Sequence, residues 1–199
     1  MRVRGHRPES TERMGLDMKL KEIVAELGGV LGKIDEADAE RFAQAAYEAP
    51  RIFVAGCGRS GLMVKAFAMR AMHLGKTVYV LGDVTTPSIH GGDLLVVASG
   101  SGETESLVSH AKKAKKLGAK VATVTIYPKA SIGSMADSVV QINAPTSKSE
   151  EETGVASVQP MGSLFEQSLL LFLDGVIVRM MELAGKDSAE MFQNHANLE

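Results

Sequence analysis

Two turns rich in glycine and serine carry the residue types that bind a phosphate group. Residues 56–61 read Gly-Cys-Gly-Arg-Ser-Gly, and residues 99–104 read Ser-Gly-Ser-Gly-Glu-Thr. Each turn follows a short aliphatic run typical of a buried strand and precedes a helical pattern. Glycine lets the backbone approach a ligand closely, and the first turn of a helix offers unpaired N–H groups to an anion. Because Ser and Thr hydroxyls add donors for phosphate oxygens, the two turns predict a site for a phosphorylated small molecule.

Both turns have other interpretations. The first matches the G-x-G-x-x-G pattern of dinucleotide sites, for which Asp83 is the acid that could reach a ribose. It could also be a tight turn between strand and helix that binds nothing. The second turn favours phosphate, because a dinucleotide domain has no need of another serine-rich turn here. Ser and Gly are nevertheless common in plain loops, so that interpretation stays open as well.

Short aliphatic runs alternate with helical patterns after Pro50, and they predict the sheet that positions the two turns. The predicted strands cover 51–55, 77–81, 93–98, 120–126 and 138–142, and the predicted helices cover 60–74, 103–117 and 131–136. Such alternation is typical of an α/β protein with a parallel sheet covered on both faces. Ligands of such sheets bind beyond the carboxyl ends of the strands, where the strand order reverses. The two turns therefore form one pocket if their strands are neighbours.

Three further helices flank the alternating region. The first covers 14–27, and the pair of glycines that follows is expected to end it. The second begins after Asp35 as its N-cap and reaches Glu48. The third, over 163–183, is apolar on most sides, so we expect it to be buried or to lie in a subunit contact. The first helix is the other candidate for a subunit contact.

Composition excludes several classes of protein. The chain has 199 residues, a formal net charge of −2 and a single cysteine. It therefore has no intrachain disulfide, no zinc cluster of thiolates and no basic field for nucleic acid. No secretory signal and no apolar run long enough to span a membrane is visible. We expect a cytoplasmic protein with a disordered extension over 1–13 and a single domain over 14–199.

Several motifs resemble those of the sugar isomerase (SIS) domain family. The two turns, at their spacing, are similar to those of the family as a whole. The stretch 160–166, Pro-Met-Gly-Ser-Leu-Phe-Glu, and the ending 195–199, His-Ala-Asn-Leu-Glu, resemble a narrower group, the 6-phospho-3-hexuloisomerases. The similarity runs from about residue 14 to the last residue and leaves only the N-terminal extension outside.

The resemblance implies a flavodoxin-like parallel sheet of order 2-1-3-4-5 and a homotetramer. It also implies conversion of D-arabino-hex-3-ulose 6-phosphate to fructose 6-phosphate, the second step of formaldehyde fixation by the ribulose monophosphate route. Glu166 matches the catalytic carboxylate of the family. The matching substrate-binding positions are Ser60, Ser99, Gly100, Ser101, Gly102, Glu103 and Thr104. Two other residues of the first turn, Gly58 and Arg59, are further candidates for binding the substrate.

The reaction itself explains why a carboxylate is needed. Moving a carbonyl from C3 to C2 requires removal of the C2 proton and return of a proton at C3. One carboxylate above the face of a 2,3-cis-enediol can do both, and Glu166 at the start of an apolar helix is the candidate. Alternatively, Glu166 caps its helix, because Ser163 stands three residues before it as in a capping box. Arg59 could bind phosphate or pair with an acidic neighbour.

Two histidines are candidates for moving the proton between O2 and O3. His73 lies near the far end of the helix that follows the first turn, where it could be a cation at a helix C-terminus or reach the pocket of a neighbouring subunit. His195 lies in a tail that could fold over a partner's site or be mobile. No cofactor and no metal are expected, since the acidic run 150–152 has no histidine nearby.

Three alternative functions stay open. The first is another sugar-phosphate isomerase of the arabinose 5-phosphate type, although such chains often carry regulatory domains for which there is no room here. The second is a non-catalytic sugar-phosphate-binding module, which is usually joined to a DNA-reading domain. The third is a dehydrogenase, which predicts nicotinamide binding at the first turn.

Overall fold

A computed structural model describes residues 15–145 and 156–198. Its centre is a parallel sheet of five strands in the order β2-β1-β3-β4-β5, which confirms the predicted α/β class and strand order. The strands are β1 Arg51–Gly56, β2 Thr77–Val80, β3 Leu94–Ala98, β4 Lys120–Thr125 and β5 Ser138–Gln141. Each strand lies within two residues of its predicted bounds, because short aliphatic runs between polar turns define buried strands closely.

Six helices and one 3₁₀ turn surround the sheet in the part of the chain that is described. The helices are α1 Leu16–Leu31, α2 Glu36–Glu48, α3 Gly58–His73, α4 Glu105–Lys116, α5 Ser163–Ala184 and α6 Ser188–Phe192, and the 3₁₀ turn is Gly133–Met135. The predicted helix over 131–136 is thus only a single 3₁₀ turn. The predicted extension over 1–13 and the acidic run 150–152 lie outside the described residues.

The predicted end of the first helix is wrong. Instead of stopping at the glycine pair 28–29, α1 continues to Leu31. Val30, which is 4% exposed, belongs to the hydrophobic core, and Leu27 and Leu31 pack against that core. Burial of three aliphatic side chains outweighs the cost of two glycines, which is about 1 kcal/mol each. By contrast, α2 begins as predicted, with the Asp35 carboxylate accepting a hydrogen bond from the Asp38 amide.

The two faces of the sheet are covered unequally. Ile52 and Val54 of β1 point into a large core shared with α1, α2, α3 and α5. Phe53 and Ala55 point into a smaller core under α4 and the 3₁₀ turn. As predicted, α5 is largely buried, and it packs against α1, α2 and α3. None of the helices over 15–145 and 156–198 is long and apolar enough to cross a membrane.

Candidate active site

The two glycine-serine turns lie side by side at the carboxyl edge of the sheet. Their strands, β1 and β3, are neighbours, and Gly56 is in register with Ala98. This is also where the strand order reverses, so a crevice opens between the two strands. The cleft there is open to solvent and has a cavity volume of about 100 Å³. It is lined by Cys57, Ser60, Ala98, Ser99, Gly100, Ser101, Thr104, Leu107, Ile126, Met161, Gly162, Phe165 and Glu166.

The first turn brings the beginning of α3 against the end of β1. A Cβ added to Gly61 would lie 2.6 Å from the Gly56 carbonyl oxygen, so this approach requires glycine. Gly58 has φ +56 and begins the helix, where the first amides have no acceptor within the helix. Of the predicted residues of this turn, Ser60 lines the cleft, whereas Gly58 and Arg59 stand outside its lining.

The second turn is held by its own side chains. Ser99 is 4% exposed, and its Oγ accepts a hydrogen bond from the Gly102 amide at 3.2 Å and lies 3.4 Å from Thr104 Oγ1. Gly102 has φ +67, which favours glycine. Ser99, Gly100, Ser101 and Thr104 line the cleft. This places the N-terminus of α4, whose N-cap is Thr104, beside the N-terminus of α3.

Glu103 has a different position from the rest of the second turn. Its Oε1 accepts a hydrogen bond from the Ser131 amide at 2.6 Å, and neither Glu103 nor Gly102 belongs to the lining of the cleft. The hydroxyl and amide of Ser131 lower the pKa of Glu103 below its ordinary value. The carboxylate therefore holds the turn to the segment after β4 and does not face the cleft.

Glu166 enters the cleft from the first turn of α5. Arg59 Nε donates to Glu166 Oε2 at 2.5 Å, with the glutamate side chain 18% exposed and the arginine side chain 56% exposed. The capping-box alternative is wrong, because Gly162 is the N-cap of α5 and makes no side-chain cap. Arg59 could bind phosphate or pair with an acidic neighbour, and in the structure it pairs with Glu166. The ion pair joins the first turn to α5 at the mouth of the cleft.

His73 and His195 lie together, away from the cleft. Their rings stack with centroids 5.4 Å apart and planes at 20°. His73 ends α3, thirteen residues after Ser60, which at 1.5 Å per residue corresponds to about 20 Å. Burial lowers the pKa of His73, as do the nearby charges of Arg70 and His195. A single chain thus does not bring either histidine to the carboxylate, and their participation requires a second subunit.

The C-terminal tail is held against the body of the protein. Asp187 and Glu190 form a capping box at the start of α6, and the Asn194 side chain donates to the His73 carbonyl oxygen at 2.9 Å. α6 is absent from the predicted helices, although the Asp-x-x-Glu pattern indicates it. Met161, Gly162 and Phe165 line the cleft but are not among the predicted site residues. The turn signal that marks this wall of the cleft is Pro160 with Gly162.

Comparison with known proteins identifies the class. The chain belongs to the SIS domain family, whose family model matches residues 46–171 and so includes both turns and Glu166. It is 48% identical over 179 residues to the 3-hexulose-6-phosphate isomerase of Bacillus subtilis, covering 89% of this chain and 96% of that one. Identity to the 3-hexulose-6-phosphate isomerase of Mycobacterium gastri is 41% over 174 residues, or 87% and 86% of the two chains.

A solved structure is also similar. It is that of a Methanococcus jannaschii protein from which a molecular function of 3-hexulose-6-phosphate isomerase was inferred. It has a TM-score of 0.76 and 34% identity, and the match covers 92% of this chain and 98% of that one. The predicted resemblance to the family and to its narrower group is thereby confirmed. Over 15–145 and 156–198, no three His, Cys, Asp or Glu side chains are grouped to hold a metal ion.

Proposed function

We propose that this chain converts D-arabino-hex-3-ulose 6-phosphate to D-fructose 6-phosphate through a 2,3-cis-enediol. This reaction is the second step of formaldehyde fixation by the ribulose monophosphate route. The observation that carries the proposal is a carboxylate, that of Glu166, in one cleft with two turns that suit a phosphate. Relatives named for this activity are 48% and 41% identical over most of the chain.

The phosphate is held by the two turns. Ser60, Ser99, Ser101 and Thr104 line the cleft, and their hydroxyl groups are of the kind that donates to phosphate oxygens. The N-termini of α3 and α4 add backbone N–H groups and the positive ends of two helix dipoles. Binding energy at the phosphate, remote from the reacting carbons, then fixes those carbons relative to Glu166.

Glu166 carries the proton between the two carbons. Its carboxylate takes the proton from C2, and the electron pair of the broken C–H bond forms the C2–C3 double bond while O3 receives the charge. Transfer of a proton from O2 to O3 makes the other enediolate. The protonated Glu166 then returns its proton to C3, and C2 becomes the carbonyl carbon. Arg59, 2.5 Å from Glu166, keeps the carboxylate oriented and lends positive charge near the enediolate.

None of the described residues that line the cleft is a histidine. We assign the proton transfer between O2 and O3 to His73, with His195 beside it, from a neighbouring subunit of a homotetramer. Exposed aliphatic side chains on α1, among them Leu16, Leu20 and Val24, support association, since their burial stabilises a subunit contact. Sedimentation equilibrium tests this assembly, and a monomer would contradict the role given to the histidines.

A coupled assay tests the proposed function. Hexulose 6-phosphate is supplied, and fructose 6-phosphate is converted by phosphoglucose isomerase and glucose 6-phosphate dehydrogenase to an NADPH signal. Arabinose 5-phosphate and unphosphorylated hexulose serve as parallel substrates, each with a detection suited to its product. We expect turnover of hexulose 6-phosphate and loss of most turnover without the phosphate. Equal rates with and without phosphate, or a preference for arabinose 5-phosphate, would contradict the proposal.

A further inference from the structure

One wall of the cleft is a short segment without helix or strand, residues 157–162, which leads into α5 and is called the strap below. Met161 and Gly162 of the strap line the cleft, and Glu166 follows in the first turn of α5. The strap is attached at its other end to α1. There the Glu26 carboxylate accepts hydrogen bonds from Ser157 Oγ at 2.7 Å, from the Val158 amide at 2.7 Å and from Gln159 Nε2 at 3.0 Å.

Gln159 extends the hydrogen bonds from Glu26 to α5, the helix that carries Glu166. Gln159 is 9% exposed, and both ends of its carboxamide are engaged. Its Nε2 donates to Glu26, and its Oε1 accepts from Gln167 Nε2 at 2.7 Å. Gln167 is the residue directly after Glu166. A continuous path of hydrogen bonds therefore runs from α1 through the strap to α5, one residue after Glu166.

The charge of Glu26 suits this arrangement. Burial works to raise the pKa of Glu26, but the Val158 amide and the Gln159 and Ser157 side chains together hold it below its ordinary value. An ionised carboxylate offers only acceptors, and here it faces three donors. A neutral amide at this position would turn an NH₂ group toward at least one of those donors.

The strap also contains the one non-glycine residue in the described chain that has a positive φ. Met161 has φ +56, a conformation that a residue with a Cβ adopts only when its surroundings hold it there. The Met161 side chain is 73% exposed, so its own packing contributes little to holding it. Hydrogen bonds on either side hold this turn. Glu26 accepts from the preceding residues of the strap, and the Glu166 amide donates to the Gly162 carbonyl oxygen at 3.0 Å.

We propose that Glu26 is a positioning residue for the isomerisation proposed above, on which this inference rests. Its carboxylate fixes the strap on α1 and so sets the Met161–Gly162 wall and the first turn of α5. It touches neither the substrate nor the reacting atoms. Its effect is on the placement of Glu166 relative to a sugar whose phosphate is held by the two turns.

The test compares Glu26→Gln with a matched control, Glu40→Gln. Glu40 on α2 accepts hydrogen bonds from Arg179 on α5 at 2.8 to 3.1 Å, so it also joins two helices but lies outside the cleft. Three quantities are measured for the wild type and both variants: kcat and KM, the melting temperature, and amide hydrogen exchange of a peptide covering 156–162.

For Glu26→Gln we expect at least tenfold faster exchange in the strap and a kcat lower by about tenfold to a hundredfold. KM changes by less than about threefold, because the phosphate turns are untouched. Glu40→Gln keeps the wild-type kcat and strap exchange within twofold. Unchanged strap exchange or unchanged kcat in Glu26→Gln, or an equal loss of kcat in Glu40→Gln, overturns the inference. A wild type with a slowly exchanging strap and no turnover of hexulose 6-phosphate overturns the proposed function instead.

Discussion

Replacing Glu166 by Gln removes a proton acceptor and keeps the size of the side chain. The fold is expected to tolerate the change, since the Arg59 side chain is 56% exposed and ion pairs of exposed groups contribute at most about 1 kcal/mol. In a chain of this size, a loss of about 1 kcal/mol lowers the melting temperature by about 2–4 °C, so Glu166→Gln is expected to lower it by no more than that. A general base contributes about 10²–10⁴ to the rate, so kcat is expected to fall at least about a hundredfold.

Glu182→Gln provides a matched control on the same helix. Glu182 lies in the last turn of α5 and, like Glu166, accepts from an arginine, Arg179 Nη1 at 2.9 Å. Glu182→Gln removes a similar ion pair outside the cleft, so this variant is expected to keep the wild-type turnover. The coupled assay gives kcat and KM, and calorimetric titration with fructose 6-phosphate gives product binding, which Glu166→Gln is expected to retain within a few-fold.

Isotope incorporation adds a readout of the proton transfer itself. In deuterium oxide, the proton returned to C3 by an exchanging carboxyl group is replaced by deuterium, which NMR detects in the fructose 6-phosphate formed. Glu166→Gln is expected to lose turnover and incorporation together. A variant that keeps more than a tenth of the wild-type kcat would refute the role of Glu166 as the base. So would one that loses product binding as completely as turnover, because the carboxylate would then be a binding group.

Two other predictions concern stability. Gly61→Ala is expected to lower the free energy of unfolding in urea by about 1–3 kcal/mol, since its Cβ would lie 2.6 Å from the Gly56 carbonyl oxygen. The control is Gly175→Ala, whose Cβ meets nothing within 4 Å, and which is expected to raise that free energy by up to about 1 kcal/mol. Equal effects of the two substitutions would contradict the packing argument. Burial works to raise the pKa of Asp93, but the hydrogen bonds from Arg51 hold it below its ordinary 3.8. The ionised Asp93 carboxylate therefore stabilises the fold fully above pH 3.8, and this stabilisation is lost as the pH falls through the pKa of Asp93 in the folded protein. The difference in unfolding free energy between the wild type and Asp93→Asn is expected to become smaller below about pH 4.

The sheet could be predicted from the sequence because its signals are local. Each strand is a short aliphatic run between polar turns, and the switch from strand to helix follows directly in the chain at both glycine-serine turns. The end of α1 could not be predicted in this way. Gly28 and Gly29 favour a helix end, whereas Val30 is buried by elements far away in sequence, and tertiary packing outweighs the local preference.

The same distinction separates the parts of the candidate site. The hydroxyls of Ser60 and Ser99 are placed by turns whose sequence is sufficient to predict them. The partner of Arg59 is 107 residues away, so the sequence left its two roles open. Glu26 meets the strap 131 to 133 residues later, and nothing in α1 marks that glutamate as different from its neighbours.

The proposed reaction depends on two groups of residues that different elements of the fold carry. The phosphate turns belong to the sheet and its crossover helices, α3 and α4, and they stay in place as long as β1 and β3 pair. The carboxylate belongs to α5, which packs against α3 and is joined to the first turn by the Arg59–Glu166 pair. If this division holds, changes to the strap or to Glu26 reduce kcat at nearly constant KM, because they shift the base and leave the phosphate in place. Changes to Ser99 raise KM first, since this residue lines the cleft and its hydroxyl braces the second turn through the Gly102 amide.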